Sequence, residues 1–271
     1  MKEIISNLRD LNIGIVGCGW LGTRMAEKWQ RNNLLYTTTT SPQKLPVLEA
    51  QGFHPFCIDF NSSRVEEVSR WDVMEKLDVL IITVPISSRK DRSLQNIEQR
   101  IRNLTLFLGR FEGQLFFMDS TSIYPAEKRE FTEDDVSVEE VAAERLLRKS
   151  YPEVNILRLG GLMGDERQLG KYAVTDLDAP VNHIHFKDII AIVEQMIQKQ
   201  CRAKVYNVVA PVHPQKGEVI AIQKNQSYAG PKVQKGRIIS SDKLLIELTY
   251  DFIYPDPRYF HISPGLADNI L

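Results

Sequence analysis

The chain has 271 residues, 43% hydrophobic and 25% charged, the make-up of an ordinary globular protein. Thirty-four basic and 35 acidic residues leave a net charge of −1, which gives no pull toward nucleic acid or an acidic membrane surface. No apolar run reaches the length of a membrane span, and residues 1–10 hold no apolar signal core, so the expectation is a cytoplasmic protein.

In chain order, Ile13-Gly14-Ile15-Val16 predicts a strand over 13–16, and Thr23-Arg24-Met25-Ala26-Glu27-Lys28-Trp29 begins a helix predicted over 23–31. Between them stands Gly17-Cys18-Gly19-Trp20-Leu21-Gly22. A strand, a glycine turn and a helix N-terminus make an anion site. The first glycine permits the turn, the second lets backbone approach a pyrophosphate, and the third lets helix and strand pack closely. The expected dinucleotide ligands are therefore Gly17, Gly19 and Gly22, with Trp20 and Leu21 opening the helix. Cys18 is either a small filler of this turn or a reactive thiol at a helix N-terminus. With Cys57 and Cys201 it makes an odd, scattered set, neither a disulfide framework nor a CxxC site.

A second strand is predicted over 35–38. An NAD-preferring turn usually closes this strand with an acid that bonds the ribose 2′-hydroxyl. Here the chain continues Thr39-Thr40-Ser41-Pro42-Gln43-Lys44, with no acid. Hydroxyls and an ammonium suit a 2′-phosphate, which a carboxylate would repel, so Thr39, Thr40, Ser41 and Lys44 point to NADP, with NAD open. A helix over 41–51 and strands over 55–58 and 79–84 follow. Val79-Leu80-Ile81-Ile82 is continuously apolar, as a strand covered on both faces should be. A helix over 93–107, strands over 114–118, 155–159 and 205–209, and helices over 138–149, 187–199 and 241–247 complete the pattern. Strand alternating with helix predicts an α/β doubly wound, mostly parallel Rossmann sheet. Residues 1–160 plus 182–210 would form the dinucleotide-binding domain. Residues 161–181 plus 211–271 would form a small C-terminal substrate lobe, where selectivity should reside.

Directly after the strand over 114–118 comes Asp119-Ser120-Thr121-Ser122-Ile123-Tyr124-Pro125. With the glycine turn, it resembles the extended short-chain dehydrogenase/reductase family, also called the NAD-dependent epimerase/dehydratase family. Leu157-Arg158-Leu159-Gly160-Gly161-Leu162-Met163-Gly164, Asn182-His183-Ile184-His185-Phe186-Lys187-Asp188 and Val205-Tyr206-Asn207-Val208-Val209 fit the same pattern. The short chain, the Gly-x-Gly-Trp-Leu-Gly turn and Lys235-Gly236-Arg237-Ile238 point to its atypical, YeeZ-like branch. The resemblance implies that Asp59 accepts from the adenine amino group. It implies that Thr83, Val84 and Pro85 line the adenosine side and that Leu159, Gly160 and Gly161 pass the nicotinamide. Ser120 stands at the catalytic serine or threonine place, with Ser122 or Tyr124 assisting. It also implies a homodimer.

The chain departs from the family at its catalytic pair. The family reaction uses Tyr-x-x-x-Lys on one helix face, where the ammonium lowers the tyrosine pKa. Counting back from Glu144, the lysine place holds Glu140 and the tyrosine place Val136. Ser137-Val138-Glu139-Glu140 instead fits a capping box. One Tyr-x-x-x-Lys does occur, Tyr124 to Lys128, in a stretch that reads as loop. His183 and His185 alternate and share one face of an extended segment, open to substrate contact, packing or, as two ligands short of a third, metal. Arg167 and Lys171 either meet an anionic substrate or are solvated. The reading is an NAD(P)-binding oxidoreductase or epimerase-like enzyme on a small polar or sugar-like substrate. The alternative is a catalytically silent NADP-binding redox sensor or regulatory protein.

Overall fold

The computed structural model describes residues 8–62, 68–86, 93–230 and 236–263. The N-terminal stretch 1–7 and Lys235 of the branch signature lie outside the described residues. The first half alternates β1 (Asn12–Val16), α1 (Trp20–Trp29), β2 (Leu34–Thr39), α2 (Leu45–Ala50), β3 (His54–Cys57), β4 (Val79–Ile82), α3 (Leu94–Leu108) and β5 (Gln114–Ser120). There follow β6 (Glu130–Phe131), α4 (Ala142–Ser150), β7 (Asn155–Leu159), β8 (Gly161–Met163), β9 (His183–His185), α5 (Phe186–Gln198) and β10 (Val205–Val208). The chain closes with α6 (Lys216–Gln223), β11 (Ile238–Ile239) and α7 (Asp242–Leu248).

Seven strands form one sheet in the order β10-β7-β5-β4-β1-β2-β3, the doubly wound α/β arrangement expected from the sequence. Strand β1 pairs in parallel with both β2 and β4, so Gly14 lies opposite Tyr36 on one side and Leu80 on the other. The register follows from burial. Every residue of β4 and β7 is buried, as covering helices on both faces require. All seven strands predicted from apolar runs are present, with ends moved by at most two residues.

The helices are shorter than predicted in two places. The segment 41–51 is a 3₁₀ turn, Pro42–Lys44, followed by α2. The segment 138–149 is a 3₁₀ turn, Val138–Glu140, broken at extended Val141 before α4 begins. Ser137 does form the expected capping box, and its amide donates to Glu140 Oε1 at 2.9 Å. The box caps the short turn rather than the helix. Helix α6 and the two-stranded sheets β11-β6 and β8-β9 were not foreseen, since two- and three-residue strands carry no readable period.

Contacts divide the chain into two compact units. The first holds residues up to 119, 137–156 and 194–205. Its core gathers Leu80, Ile82, Ile97, Ile101, Leu104, Phe107, Phe117 and Leu147. Helix α3 contributes four of these at a helical spacing, and Trp71 stacks on Phe107 with ring centroids 5.2 Å apart. The second holds 120–136, 157–193 and 206–271, with several smaller apolar clusters. No helix among the described residues is long and apolar enough to cross a membrane.

Candidate functional site

In the first unit, the turn between β1 and α1 is fixed from both neighbouring strands. Thr38 of β2 accepts the Gly17 amide on its hydroxyl (2.9 Å) and the Cys18 amide on its carbonyl (2.7 Å). Thr83, just past β4, donates its hydroxyl to the Gly17 carbonyl at 2.5 Å. Gly17 has φ +105°, a left-handed conformation that disfavours any side chain. A Cβ there would also meet Val84 and Thr83. A Cβ on Gly22 would collide with the Gly17 carbonyl, so that glycine is needed for helix and strand to pack. Gly19 differs. A Cβ built on it meets nothing within 4 Å. The turn is thus closed on its protein side and open above Gly19.

Gly19 is also the N-cap of α1, without a side-chain cap and with no acid in the first turn. The opening amides of a helix have no intrahelical acceptor and carry its positive dipole end. An acid-free helix start without a side-chain cap, with open space above Gly19, fits a phosphate group. Cys18 is buried, its thiol 3.4 Å from the Thr23 hydroxyl. Burial pushes its pKa up, so the thiol fills the turn and is not an activated nucleophile.

The β2 exit divides. Thr39 is buried and its hydroxyl accepts from the Ser41 amide at 3.2 Å, so it shapes the bend. Thr40 and Lys44 are exposed and Ser41 is half-buried. The charge of Lys44 is felt at the Cys18 thiol, which places that ammonium within electrostatic reach of the glycine turn. Asp59, after β3, is exposed and folds back on its own turn, with Oδ1 accepting from the Asn61 amide at 2.9 Å and its Nδ2 at 2.6 Å. Val84 and Pro85 stand exposed or half-exposed past β4.

In the second unit, Ser120 caps a 3₁₀ turn, Thr121–Ile123. Its oxygen accepts the Ser122 amide at 3.1 Å, and both serines are half-buried. Thr121 donates to the Leu159 carbonyl at 3.3 Å, tying this turn to the end of β7. Tyr124 goes elsewhere. It is 2% exposed, donates to Asn207 Oδ1 at 2.7 Å and accepts from Arg158 at 3.0 Å. Its side chain therefore joins a core network, while Lys128 is exposed on a stretch with no helix. The four-residue spacing of Tyr124 and Lys128 aligns nothing.

The glycines past β7 make room for protein atoms. A Cβ on Gly160 would strike the Asn182 carbonyl, one on Gly161 the His183 ring, and one on Gly164 the rings of Phe186 and His185. The cause is the parallel β8-β9 pair, which sets Gly161 opposite His183 and Met163 opposite His185.

The two histidines differ sharply. His185 is 2% exposed, stacks on Tyr254 at 3.7 Å and accepts the Lys187 amide on Nδ1 at 3.2 Å. It is packing. Burial, then the Lys187 charge, pushes it down to about 3. His183 is half-buried and pushed down to about 4 by burial and then by Lys216, so its imidazole is neutral at pH 7. Arg167 is half-buried in a tight backbone bridge with Gly164, and Lys171 is exposed. No group of three or more potential metal ligands occurs among the described residues.

The His185 environment has a measurable consequence. A histidine held neutral in the fold binds fewer protons than in the unfolded chain, where its pKa is about 6.5. Its contribution is complete above that value and is lost as pH falls from about 6.5 toward 3, at about 1.4 kcal/mol per pH unit. Asp188 acts in the opposite sense: burial raises its carboxyl to about 6, so its stabilisation falls as pH rises from about 4 to 6. The difference between wild type and H185F cancels Asp188. Urea unfolding should show H185F less stable than wild type at pH 8, by the lost Lys187 bond, and the gap closing or reversing by pH 5. A gap independent of pH would contradict this account.

Sequence reading missed two groups. The buried network around Arg158, Glu133, Tyr124 and Asn207 was signalled by an arginine inside an otherwise apolar strand. The polar side chains Arg100 and Asn103 of α3 were signalled by an asparagine at an apolar face of a helix.

No family model matches the chain. Protein YeeZ of Escherichia coli strain K12 is 25% identical over 268 residues, covering 90% of this chain and 97% of that protein. The chain is similar to YeeZ over nearly its whole length. Among solved structures, WbmG of Bordetella bronchiseptica in complex with NAD superposes with a TM-score of 0.72 at 14% identity, covering 97% of this chain and 96% of that one. UDP-N-acetylglucosamine 4-epimerase from Bacillus cereus gives 0.68 at 13% identity, covering 96% of this chain and all of that one. Human epimerase family protein SDR39U1 with NADPH gives 0.65 at 13% identity, with the same coverage. These likenesses establish the Rossmann-like fold.

Proposed function

We propose that this chain binds a nicotinamide dinucleotide at the β1–α1 turn and acts as an oxidoreductase or epimerase-like enzyme on a small polar or sugar-like substrate. The observation that carries the reading is the open space above Gly19 at an uncapped helix start. Gly17, Gly19, Trp20, Leu21 and Gly22 would hold the pyrophosphate. Thr40, Ser41 and Lys44 would meet a 2′-phosphate, which favours NADP over NAD. Thr39 would set the bend that presents them. Asp59 would take the adenine amino group between Thr83, Val84 and Pro85. Support from neighbours is general: one was crystallised with NAD and another with NADPH.

When bound, the dinucleotide supplies a hydride donor or acceptor. Ser120 has its oxygen occupied by the Ser122 amide, which leaves its hydroxyl proton to donate to a substrate carbonyl or alkoxide oxygen. Neutral His183 offers one donor and one acceptor nitrogen, a match for a hydroxylated substrate. Arg167 and residues 161–181 with 211–271 would select that substrate. Leu159, Gly160 and Gly161 would pass the nicotinamide.

The second reading, a silent dinucleotide-binding sensor, is favoured by one observation: the Tyr124 hydroxyl is committed to Asn207 and Arg158. The test is oxidation of NADPH and NADH across a panel of small carbonyl compounds. The enzyme reading expects turnover that S120A reduces about 100-fold in kcat, with dinucleotide affinity unchanged. Tight binding without turnover on any compound would favour the sensor.

A further inference from the structure

Helix α3 carries a polar pair three residues apart, Arg100 and Asn103, and both reach across to the turn after β3. Arg100 Nε donates to Asn61 Oδ1 at 2.7 Å, and its NH1 donates to the Ile86 carbonyl at 2.9 Å. Asn103 is wholly buried, with Nδ2 donating to the carbonyls of Phe60 (2.9 Å) and Ser62 (2.8 Å). Its Oδ1 accepts from Gln99 at 2.9 Å. A buried asparagine inside a helix is costly unless its amide is satisfied, and here both Nδ2 acceptors belong to the turn after β3. Asn61 in turn donates to Asp59 Oδ1 through both backbone and side chain. The result is a relay: Arg100 fixes Asn61, and Asn61 fixes the Asp59 carboxylate. The same guanidinium pins the carbonyl of Ile86, four residues past β4. It therefore ties the exit of β3 to that of β4, two strands separated in the sheet by β1 and β2.

We infer that Arg100 is a positioning residue for the adenosine end of the bound dinucleotide, acting through Asn61 on Asp59 and through Ile86 on the loop after β4. The inference rests on the dinucleotide reading above and deepens it. Asp59 Oδ1 is occupied by two Asn61 N–H donors, so the relay fixes which carboxylate oxygen can face an amino group. Planar, forked donors are needed, because one side chain must satisfy two acceptors on different loops. Lysine would keep the charge and lose the fork.

The experiment is calorimetric titration of the full chain with NADH and, separately, with nicotinamide mononucleotide, which lacks adenine. Wild type, R100Q, R100K and N61A are compared. The expected result is a Kd for NADH raised about tenfold in R100Q and N61A and less in R100K, with the mononucleotide Kd unchanged. An unchanged NADH Kd in R100Q and N61A would overturn the inference and leave the dinucleotide reading standing. So would an equal loss for both probes, which signals general loosening. Exposed Asn61 keeps the test valid if R100Q fails to fold. A wild type that binds neither NADH nor NADPH removes the dinucleotide reading, and the inference falls with it.

Discussion

Replacing Gly19 by aspartate should leave the fold intact and weaken NADPH and NADH binding at least about 100-fold, since two unfavourable effects coincide at one atom. Gly19 has φ −88° and ψ −157°, extended backbone that any residue adopts, and a Cβ there touches nothing. The variant therefore carries no built-in strain. Its carboxylate would occupy the open space at the helix start and place a negative charge where a phosphate must come. It would even suit the apo protein, because an acid near a helix N-terminus is worth about 0.3–1 kcal/mol. The expected combination is an unfolding temperature unchanged or slightly raised, with dinucleotide binding lost. Gly22→Ala should do the reverse in order of cause, since its Cβ meets the Gly17 carbonyl and damages the turn itself. Retained affinity in G19D would show that ligands bind elsewhere.

The second large effect is on stability. Arg158→Leu should cost about 3–5 kcal/mol in chemical denaturation, the cost of removing one partner from a buried charged network. Arg158 is fully buried. It donates to the Tyr124 hydroxyl and to the Glu133 carbonyl at 3.3 Å. The Glu133 carboxylate, itself buried, accepts the Asn207 amide at 2.5 Å. Burial raises the Glu133 pKa, while the Asn207 amide, Lys243 and Arg158 pull it down. Without the guanidinium it rises further, so an ionised Glu133 is more costly in the variant. The deficit should be largest above neutrality and shrink as pH falls toward the ordinary carboxylate range, where protonation removes the charge. A loss below about 1 kcal/mol, or one independent of pH, would show that the network contributes little.

Much of the fold was legible because its strands are long apolar runs and the parallel sheet buries them on both faces. Val79-Leu80-Ile81-Ile82 has little alternative in a chain of this composition. The glycine turn was legible because three glycines sit between a strand and a helix; Gly17 and Gly22 are required by the protein's own atoms, and Gly19 leaves space open above the turn. What escaped depends on contacts distant in sequence. Gly160, Gly161 and Gly164 look like a second ligand-passing loop, yet they accommodate Asn182, His183, His185 and Phe186, about twenty residues on. Tyr124 precedes a lysine at the family spacing, but its hydroxyl is taken by Asn207, from β10. Ser137 and Glu140 form the foreseen box, and extended Val141 then interrupts the helix. Helix α6 went unread because Gly217 lies in its first turn and only eight residues carry the pattern. Arg100 and Asn103 were visible as polar residues in α3, but nothing local shows that they grip the turn after β3.

The most direct measurement is a crystal structure of the chain grown with saturating NADPH. The account predicts pyrophosphate oxygens within about 3 Å of the amides of Leu21 and Gly22, lying over Gly19. It also predicts the 2′-phosphate beside Lys44. A dinucleotide held elsewhere, or a turn left empty by every nicotinamide nucleotide at saturating concentration, would contradict it.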